Sequence, residues 1–252
     1  MEQFADLALD VGGTLLASGA HCGRVYSNIQ RLADRWCFPV HINPTFTGLT
    51  VTVRDRDDPE RTVTRYYDAP PHAVHLRILT LLSWLTWEAL EQRLSFAEVQ
   101  RRIAEIKTAR GYDFRLVAVA VGVSCGCLCM LSGGGLVDAL CAFLGASVGS
   151  LARVWVLRLR FNVMISFVAA AFVTTLIAGA DTIFQFGKAP EVALATAVLY
   201  LIPGVPLINS VIDLIEGYLS ASLTRSLYAA FILLCIAAGM TFGITLLGIE
   251  NF

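Results

Sequence analysis

Five apolar runs fill the second half of the chain, and they constrain its fold more than any other feature. They cover residues 116–131, 136–156, 161–180, 192–208 and 227–249. A helix needs about 20 apolar residues to cross the hydrocarbon core of a bilayer, so the third and fifth runs are long enough by themselves. The first and fourth runs depend on tilt, on their flanks or on a broken helix. These patterns predict a mainly α membrane protein whose five-helix transmembrane bundle lies in a lipid bilayer, with an irregular fourth span.

Charged residues divide the chain into two parts that face different solvents. Residues 1–115 hold 14 Lys and Arg and 14 Asp and Glu, whereas the rest of the chain holds only 5 and 6. With 56% hydrophobic and 15% charged residues overall, the composition is that of an integral membrane protein. A net charge of −1 gives no basic surface for nucleic acid. We therefore expect a soluble domain over residues 1–115, a transmembrane domain over residues 116–252 and no nucleic-acid partner.

The polar half shows the patterns of an α+β domain. Helical spacing of apolar residues predicts helices over residues 4–17, 22–36, 73–90 and 96–107. Alternation of Val, Thr and aromatic residues predicts a small antiparallel sheet with strands over residues 38–42, 46–53 and 61–67. A domain of roughly a hundred residues can bury its own core. Met1–Asp10 is acidic and lacks the features of a signal peptide, so we expect this half to stay on the side where it is made.

Charged residues at the ends of the apolar runs predict the orientation in the membrane. If the chain crosses five times, one side receives Arg110, Arg115, Arg153, Arg158, Arg160 and Arg225. The opposite side receives Asp138, Asp181, Glu191 and Glu250, with Lys188 as its basic residue. The positive-inside rule therefore predicts a cytoplasmic N-terminal domain and a C-terminus on the outside.

The fourth apolar run is interrupted by Pro203-Gly204 and again by Pro206. A proline removes a backbone donor and clashes with the preceding turn, so carbonyl groups are left unpaired at membrane depth. Such a break is costly unless something polar uses those carbonyls. We therefore expect residues 203–206 to form the deepest part of a substrate or ion path.

Three polar side chains follow this break on one helical face. Asn209, Asp213 and Glu216 have spacings of four and three, with Gly217 beside Asp213. Ionisable residues at the end of an interrupted apolar segment indicate a substrate or ion path. Asn209 and Asp213 are expected to line its inner approach, with Asp213 as the candidate coupling carboxylate. The alternative is that Asp213 is a charge at the end of a span, paired with Arg225 or with a lipid headgroup.

Glycine pairs four residues apart recur in the apolar half. They are Gly122 and Gly126, Gly145 and Gly149, and Gly239 and Gly243. In lipid no hydrophobic effect drives helices together, so close backbone approach depends on small residues at this spacing. We expect these glycines to lie in the helix contacts of a bundle or an oligomer.

Two short strings suggest enzyme or metal chemistry, and packing is the favoured interpretation of both. Asp10–Leu15 is similar to the nucleophile loop of haloacid-dehalogenase phosphatases and to the phosphate loop of sugar kinases. However, Gly12 stands where the phosphatase needs a second Asp, and the polar half is too short for the kinase. Cys125 and Cys129 share a helical face from which Cys127 points away, and no fourth ligand is near. We therefore expect neither a metal nor a cofactor.

A block after the fourth run follows the pattern P-G-x-P-x-x-N-x-x-x-D-x-x-x-G and then a basic residue. Its residues here are Pro203, Gly204, Pro206, Asn209, Asp213, Gly217 and Arg225. Supporting matches are Gly122, Ser124, Gly133, Gly134 and Asp138 near the first two spans, and Gly19, Ala20 and Arg24 in the polar half. With this block the chain resembles the threonine/serine exporters over nearly its whole length, in the split bacterial form that carries the N-terminal half.

The resemblance implies a subunit of a secondary exporter in the bacterial inner membrane, not an enzyme. Its substrates would be small polar metabolites, threonine and serine or a dicarboxylate such as succinate. It also implies a second small integral membrane subunit resembling the C-terminal half of the fused exporters, and it adds Ser124, Asp138 and Gly217 to the path. Two alternatives stay open: a regulatory or scaffolding subunit that gates a pore formed by the partner, and, ranked lower, a membrane-anchored hydrolase.

Overall fold

A computed structural model describes residues 1–58, 60–68, 74–109 and 111–249 as two compact units. The first unit combines Met1–Gly111 with Gly204–Tyr228, and the second combines Tyr112–Pro203 with Ala229–Phe252. The segment after the helix break therefore packs with the polar half, although the sequence boundary assigned it to the transmembrane domain. The predicted helix start at Ala73 lies outside the described residues.

The elements follow the predicted order, with boundaries shifted by a few residues at most of their ends. The polar half contains α1 (Glu2–Ala17), α2 (Cys22–Trp36), β1 (Val40–Pro44), β2 (Gly48–Arg54), β3 (Thr62–Asp68), α3 (Leu76–Glu91) and α4 (Phe96–Lys107). The apolar half contains α5 (Phe114–Leu131), α6 (Leu136–Arg158), α7 (Val163–Ala178), α8 (Ala180–Phe184), α9 (Pro190–Val198), α10 (Gly204–Ile215) and α11 (Leu219–Leu247). A single 3-10 turn, Leu199–Leu201, follows α9.

The predicted antiparallel sheet is present in the first unit, in the order β1-β2-β3. Alternate residues of β2 are buried, which gives the sheet one apolar face. The largest fully buried side chains behind it are Phe4, Leu15, Leu16, Ile29, Leu32, Leu49, Leu82 and Ile103. Gly12 and Gly13 lie inside α1, where a Cβ would come within 2.7 Å of Ile29 and 2.6 Å of the Tyr67 ring. The Asp10–Leu15 string is therefore a helix packed against its neighbours, and its glycines are needed for close contact.

Four helical segments in the described part of the chain are long and apolar enough to cross a membrane. They are Phe114–Leu131, Leu136–Arg158, Val163–Phe184 and Leu219–Leu247. Pro190–Leu201 and Gly204–Ile215 form a broken pair that would raise the number to five if they make one span. The break lies at Ile202 and Pro203, but the expected second break at Pro206 is wrong. Pro206 lies in the first turn of α10, where backbone N–H groups have no acceptor within the helix, so a proline there costs no intrahelical hydrogen bond.

The three glycine pairs lie at helix contacts within the second unit. A Cβ at Gly126 would lie 3.0 Å from the Ala139 carbonyl oxygen, which places α5 against α6. A Cβ at Gly145 would lie 3.1 Å from the Thr174 carbonyl oxygen, on α7. The remaining pair members Gly122, Gly149, Gly239 and Gly243 make equally close approaches to neighbouring helices. These contacts are backbone approaches of the kind that small residues permit in membrane helices.

Candidate functional site

A buried ion pair joins Asp213 and Arg225 of the P-G-x-P-x-x-N-x-x-x-D-x-x-x-G block in the first unit. Asp213 on α10 has no exposed surface, and its Oδ2 accepts a hydrogen bond from Arg225 Nε at 3.1 Å. Its Oδ1 accepts the backbone N–H of Cys22 at 2.7 Å. Arg225 is also buried, donates to the Ala20 carbonyl oxygen at 3.3 Å and lies 5.2 Å from the centroid of the Phe46 ring. Both charges are therefore satisfied inside the protein.

The turn between α1 and α2 supplies most of the polar partners of this ion pair. Gly19 adopts φ +89°, a conformation open to glycine but strained for other residues, and its carbonyl oxygen accepts Asn209 Nδ2 at 2.8 Å. The Cys22 N–H belongs to the first turn of α2, where no helical acceptor exists, so a carboxylate is a favourable partner there. Asn209 and Asp213, one turn apart on α10, thus hold the turn from two points.

The end of α10 explains why Gly217 follows Asp213 at this spacing. Gly217 has φ +88°, and the next N–H, that of Tyr218, donates to the Asp213 carbonyl oxygen at 2.8 Å. This is the left-handed glycine ending of a helix. It turns the chain into α11 so that Arg225 can reach back to Asp213.

Cys22 is not a nucleophile, although it follows His21. Burial, and then the negative charge of Asp213, raise the pKa of the Cys22 thiol to about 12. A thiol with that pKa is almost entirely protonated at neutral pH, and the thiolate is the reactive form. His21 instead begins α2, because its Nδ1 accepts the backbone N–H of Arg24 at 3.3 Å.

His21, Asp213 and Glu216 bring three potential metal-ligand atoms within 4.8 Å of one another. His21 Nδ1 lies 3.2 Å from Glu216 Oε2. Both Asp213 oxygens, however, already accept hydrogen bonds from Cys22 and Arg225. A metal ion at this point would have to displace the arginine, so these residues fit an ion pair better than a metal site.

A polar pocket of about 370 Å³ lies beside this cluster in the first unit. Its wall includes Arg24, Arg31, Ser83 and Trp87, and Glu216 lies at its edge. Arg24 Nε donates to Ser83 Oγ at 3.2 Å, and the Arg31 guanidinium stacks 4.1 Å from the Trp87 ring centroid. Burial, and then the nearby charge of Arg24, lower the pKa of Arg31. Arg24 was predicted through the family pattern, whereas no pattern in the sequence indicated Arg31.

Ser124 and Asp138, which the resemblance predicts as path residues, lie in the second unit. Ser124 is exposed on α5, beside a groove lined by apolar side chains such as Leu116 and Val117. Asp138 has no exposed surface and accepts the backbone N–H groups of Gly135 at 2.6 Å and Lys188 at 3.2 Å. The structure therefore associates Asp138 with the loop before α9 and not with Ser124.

Asp181 is a buried acidic residue that the sequence patterns did not indicate as a candidate. It has no exposed surface, and its Oδ1 accepts the Gly187 N–H at 2.8 Å. Its Oδ2 is buried and has no hydrogen-bond partner. The sequence showed only an acidic residue at the end of an apolar run, and we used it as a marker of orientation. Its place at the end of a run was the available signal, because charges in spans are costly and often functional.

Several apolar helices and a broken helical pair are the features of a multi-pass membrane protein, and buried charges in such a protein often mark a substrate or ion path. The family model described as "Putative threonine/serine exporter" matches residues 6–247. The chain therefore belongs to the threonine/serine exporter family, and with its apolar helices this indicates a multi-pass membrane protein of a transporter family.

Two curated relatives are similar to most of the chain. The "Probable succinate transporter subunit YjjP" of Klebsiella aerogenes is 30% identical over 180 residues, which cover 71% of this chain and 69% of the relative. The protein of the same name from Escherichia coli strain K12 is 30% identical over 182 residues, which cover 71% of this chain and 70% of the relative. No solved structure shows a significant match.

Proposed function

We propose that the chain is one subunit of a secondary exporter of small polar metabolites, working with a second small integral membrane subunit. The family description supports threonine and serine as substrates, and the names of the two relatives support a dicarboxylate such as succinate. The word subunit in those names supports a partner, which we expect to resemble the C-terminal half of the fused exporters.

One observation carries the proposal: a helix break is followed by a buried ion pair that joins Asp213 on α10 to Arg225 on α11, two apolar helices. Burying two charges costs more than packing apolar side chains of similar size, so a pair in such a place suggests a function beyond stability. Backbone freed by the break, at Pro203 and Gly204, offers polar groups to a ligand. We propose that Asn209 and Asp213 line the inner approach to this break, with Ser124 and Asp138 as further path residues.

We further propose that five spans place the N-terminal domain in the cytoplasm and the C-terminus outside. The arginines at one set of span ends support this orientation. In this orientation the Asp213–Arg225 pair lies near the cytoplasmic end of its span, where substrate would enter for export.

The experiment is export from membrane vesicles that contain the chain and its partner subunit. Vesicles are loaded with labelled succinate, threonine or serine, and the wild type is compared with Asp213→Asn. We expect the wild type to export at least one of the three, and the variant to export it at least about tenfold more slowly. The matched control is Asp57→Asn, since Asp57 is an exposed carboxylate in the loop before β3. Unchanged export by Asp213→Asn would sink the role of Asp213.

A regulatory subunit is the second candidate, and a specific observation favours it. Gly204–Tyr228 packs with the polar half, and Asn209 and Asp213 bind the turn at Gly19–Cys22. A soluble domain joined to a membrane segment in this way could gate a pore formed by the partner. Export by the partner subunit alone would favour this candidate over the first.

A further inference from the structure

Two carboxylates in the second unit are buried against each other. Asp138 at the start of α6 and Asp181 on α8 have no exposed surface. Asp181 Oδ2 lies 2.9 Å from the position that a Gly187 Cβ would occupy, and Asp138 Oδ1 lies closer still to the same point. The absence of a side chain at Gly187 therefore leaves room for the two carboxylates to face each other.

The two carboxylates have very different sets of hydrogen-bond donors. Asp138 accepts three backbone N–H groups, from Gly135, Lys188 and Ala189. Asp181 accepts one, from Gly187, and its second oxygen is buried without any partner. Three donors suit an ionised carboxylate, whereas a buried oxygen without a donor suits a protonated one that donates to its neighbour.

Three other titratable groups lie around the pair, and among the described residues none of them forms an ion pair with it. Cys129 faces it from α5, Cys141 from α6, and Lys188 lies in the loop before α9. The ion pairs of the described residues include neither carboxylate. Two neighbouring carboxylates in a medium of low dielectric repel strongly when both are ionised. Together, therefore, they are expected to hold one proton.

We infer that Asp138 and Asp181 form a proton-binding pair, in which Asp138 carries the charge and Asp181 carries an exchangeable proton that drives export. Only the statement that the proton drives export rests on the proposed exporter function. The step breaks the O–H bond of Asp181, releases H⁺ and leaves a second carboxylate, so no other reactant is needed.

The pair lies where a change of charge can act on the broken helical segment. Asp138 holds the N–H groups of Lys188 and Ala189, and α9 begins at the next residue, Pro190. The other end of that segment leads to the break at Pro203. A second charge on Asp181 would repel Asp138 and loosen the loop at residues 187–189. Proton release is thereby linked to the first half of the proposed span.

The first test measures stability against pH and needs no transport. The melting temperature is measured from about pH 5 to about pH 8, and loss of the shared proton as the pH rises would create two buried charges. We expect the melting temperature of the purified wild-type protein to fall as the pH rises. The Asp181→Asn variant should have the melting temperature of the wild type at low pH, and its melting temperature should not fall as the pH rises. The reason is that the amide nitrogen of Asn donates to Asp138 at every pH in the range. Glu191→Gln, at an exposed carboxylate of α9, should keep the wild-type slope.

The second test separates proton coupling from transport itself. Vesicles containing the complex are assayed for exchange of labelled for unlabelled substrate, and for accumulation driven by a pH gradient. In the Asp181→Asn variant the exchange rate should stay within about twofold of the wild-type rate. Accumulation driven by the pH gradient should fall at least about tenfold. Asp138→Asn is the second variant and should show the same loss.

The outcomes of the two tests are distinguishable. If the melting temperature falls with rising pH in both Asp181→Asn and Asp138→Asn as it does in the wild type, the inference that the two carboxylates bind a proton is wrong. Gradient-driven accumulation that persists in folded Asp181→Asn overturns its role in coupling. A wild type that exchanges none of the three substrates instead contradicts the proposed exporter function, while the stability test still decides whether the pair binds a proton.

Discussion

The two units each bury acidic side chains, but they compensate for them in different ways. In the first unit Asp213 pairs with Arg225 and has both oxygens satisfied. In the second unit Asp138 and Asp181 form no ion pair among the described residues, and one Asp181 oxygen has no hydrogen-bond partner there. A buried acid with a fixed cation has a partner for its charge. A buried pair of acids without a cation can change its charge by binding or releasing one proton.

The largest expected effect is the loss of the cation from the first cluster. Arg225→Met would leave Asp213 buried and unpaired, and removal of one partner of a buried ion pair costs roughly 3–5 kcal/mol. We expect the free energy of unfolding to fall by about that amount, measured by denaturation of the purified protein. The matched control is Arg77→Met, since Arg77 is exposed on α3.

A double variant decides whether this loss comes from the uncompensated charge. Arg225→Met combined with Asp213→Leu removes both charges and should recover most of the stability. If Arg225→Met alone lowers the free energy of unfolding by less than about 1 kcal/mol, Asp213 is not held as a buried charge. The contrast between the two units would then be wrong.

A smaller effect is expected from crowding the second cluster. In Gly187→Ala the new methyl group would overlap Asp138 and lie 2.9 Å from Asp181 Oδ2. Overpacking of this kind costs about 1–3 kcal/mol. Thiol labelling should increase at the buried Cys129, whose Sγ lies near this region, and stay unchanged at Cys22 in the first unit.

Gly111→Ala is the control for this substitution. A Cβ at Gly111 would meet only His75, at an ordinary 3.9 Å. If Cys129 is labelled no faster in the Gly187→Ala variant than in the Gly111→Ala variant, Asp138 and Asp181 are not packed as closely as described.

These clusters also show how far the sequence could predict the molecule. The helices of the polar half and its three strands follow from local periodicity, and α2 lies at the predicted residues. The Asp213–Arg225 pair was one of two alternatives, because both residues lie in one short segment. The Asp138–Asp181 pair joins two helices through a loop, so no spacing in the sequence indicates it. The prediction of a second break at Pro206 was wrong because a proline in the first turn of a helix removes no intrahelical hydrogen bond, whereas one in the helix interior does.

The smallest effect at neutral pH is expected for the Cys22 thiol beside Asp213. Its pKa is about 12 in the folded protein, whereas an unperturbed thiol has a pKa of 9.0. At neutral pH the thiol is protonated in both states, so it does not alter stability there. As the pH rises from about 9 to about 12, only the unfolded chain ionises, and stability is progressively lost.

Thiol labelling measures how much of this protection comes from the carboxylate. With maleimide at neutral pH we expect Cys22 to react far more slowly than the exposed Cys37, with mass spectrometry locating the label. Burial is the larger cause of the raised pKa and the charge of Asp213 the second, so Asp213→Asn should accelerate Cys22 labelling by less than about tenfold. Labelling of Cys22 as fast as Cys37 in that variant would show that Asp213 holds the turn closed as well as repelling the thiolate. In that case the first cluster, like the second, would depend on the charge of its carboxylate to keep its shape.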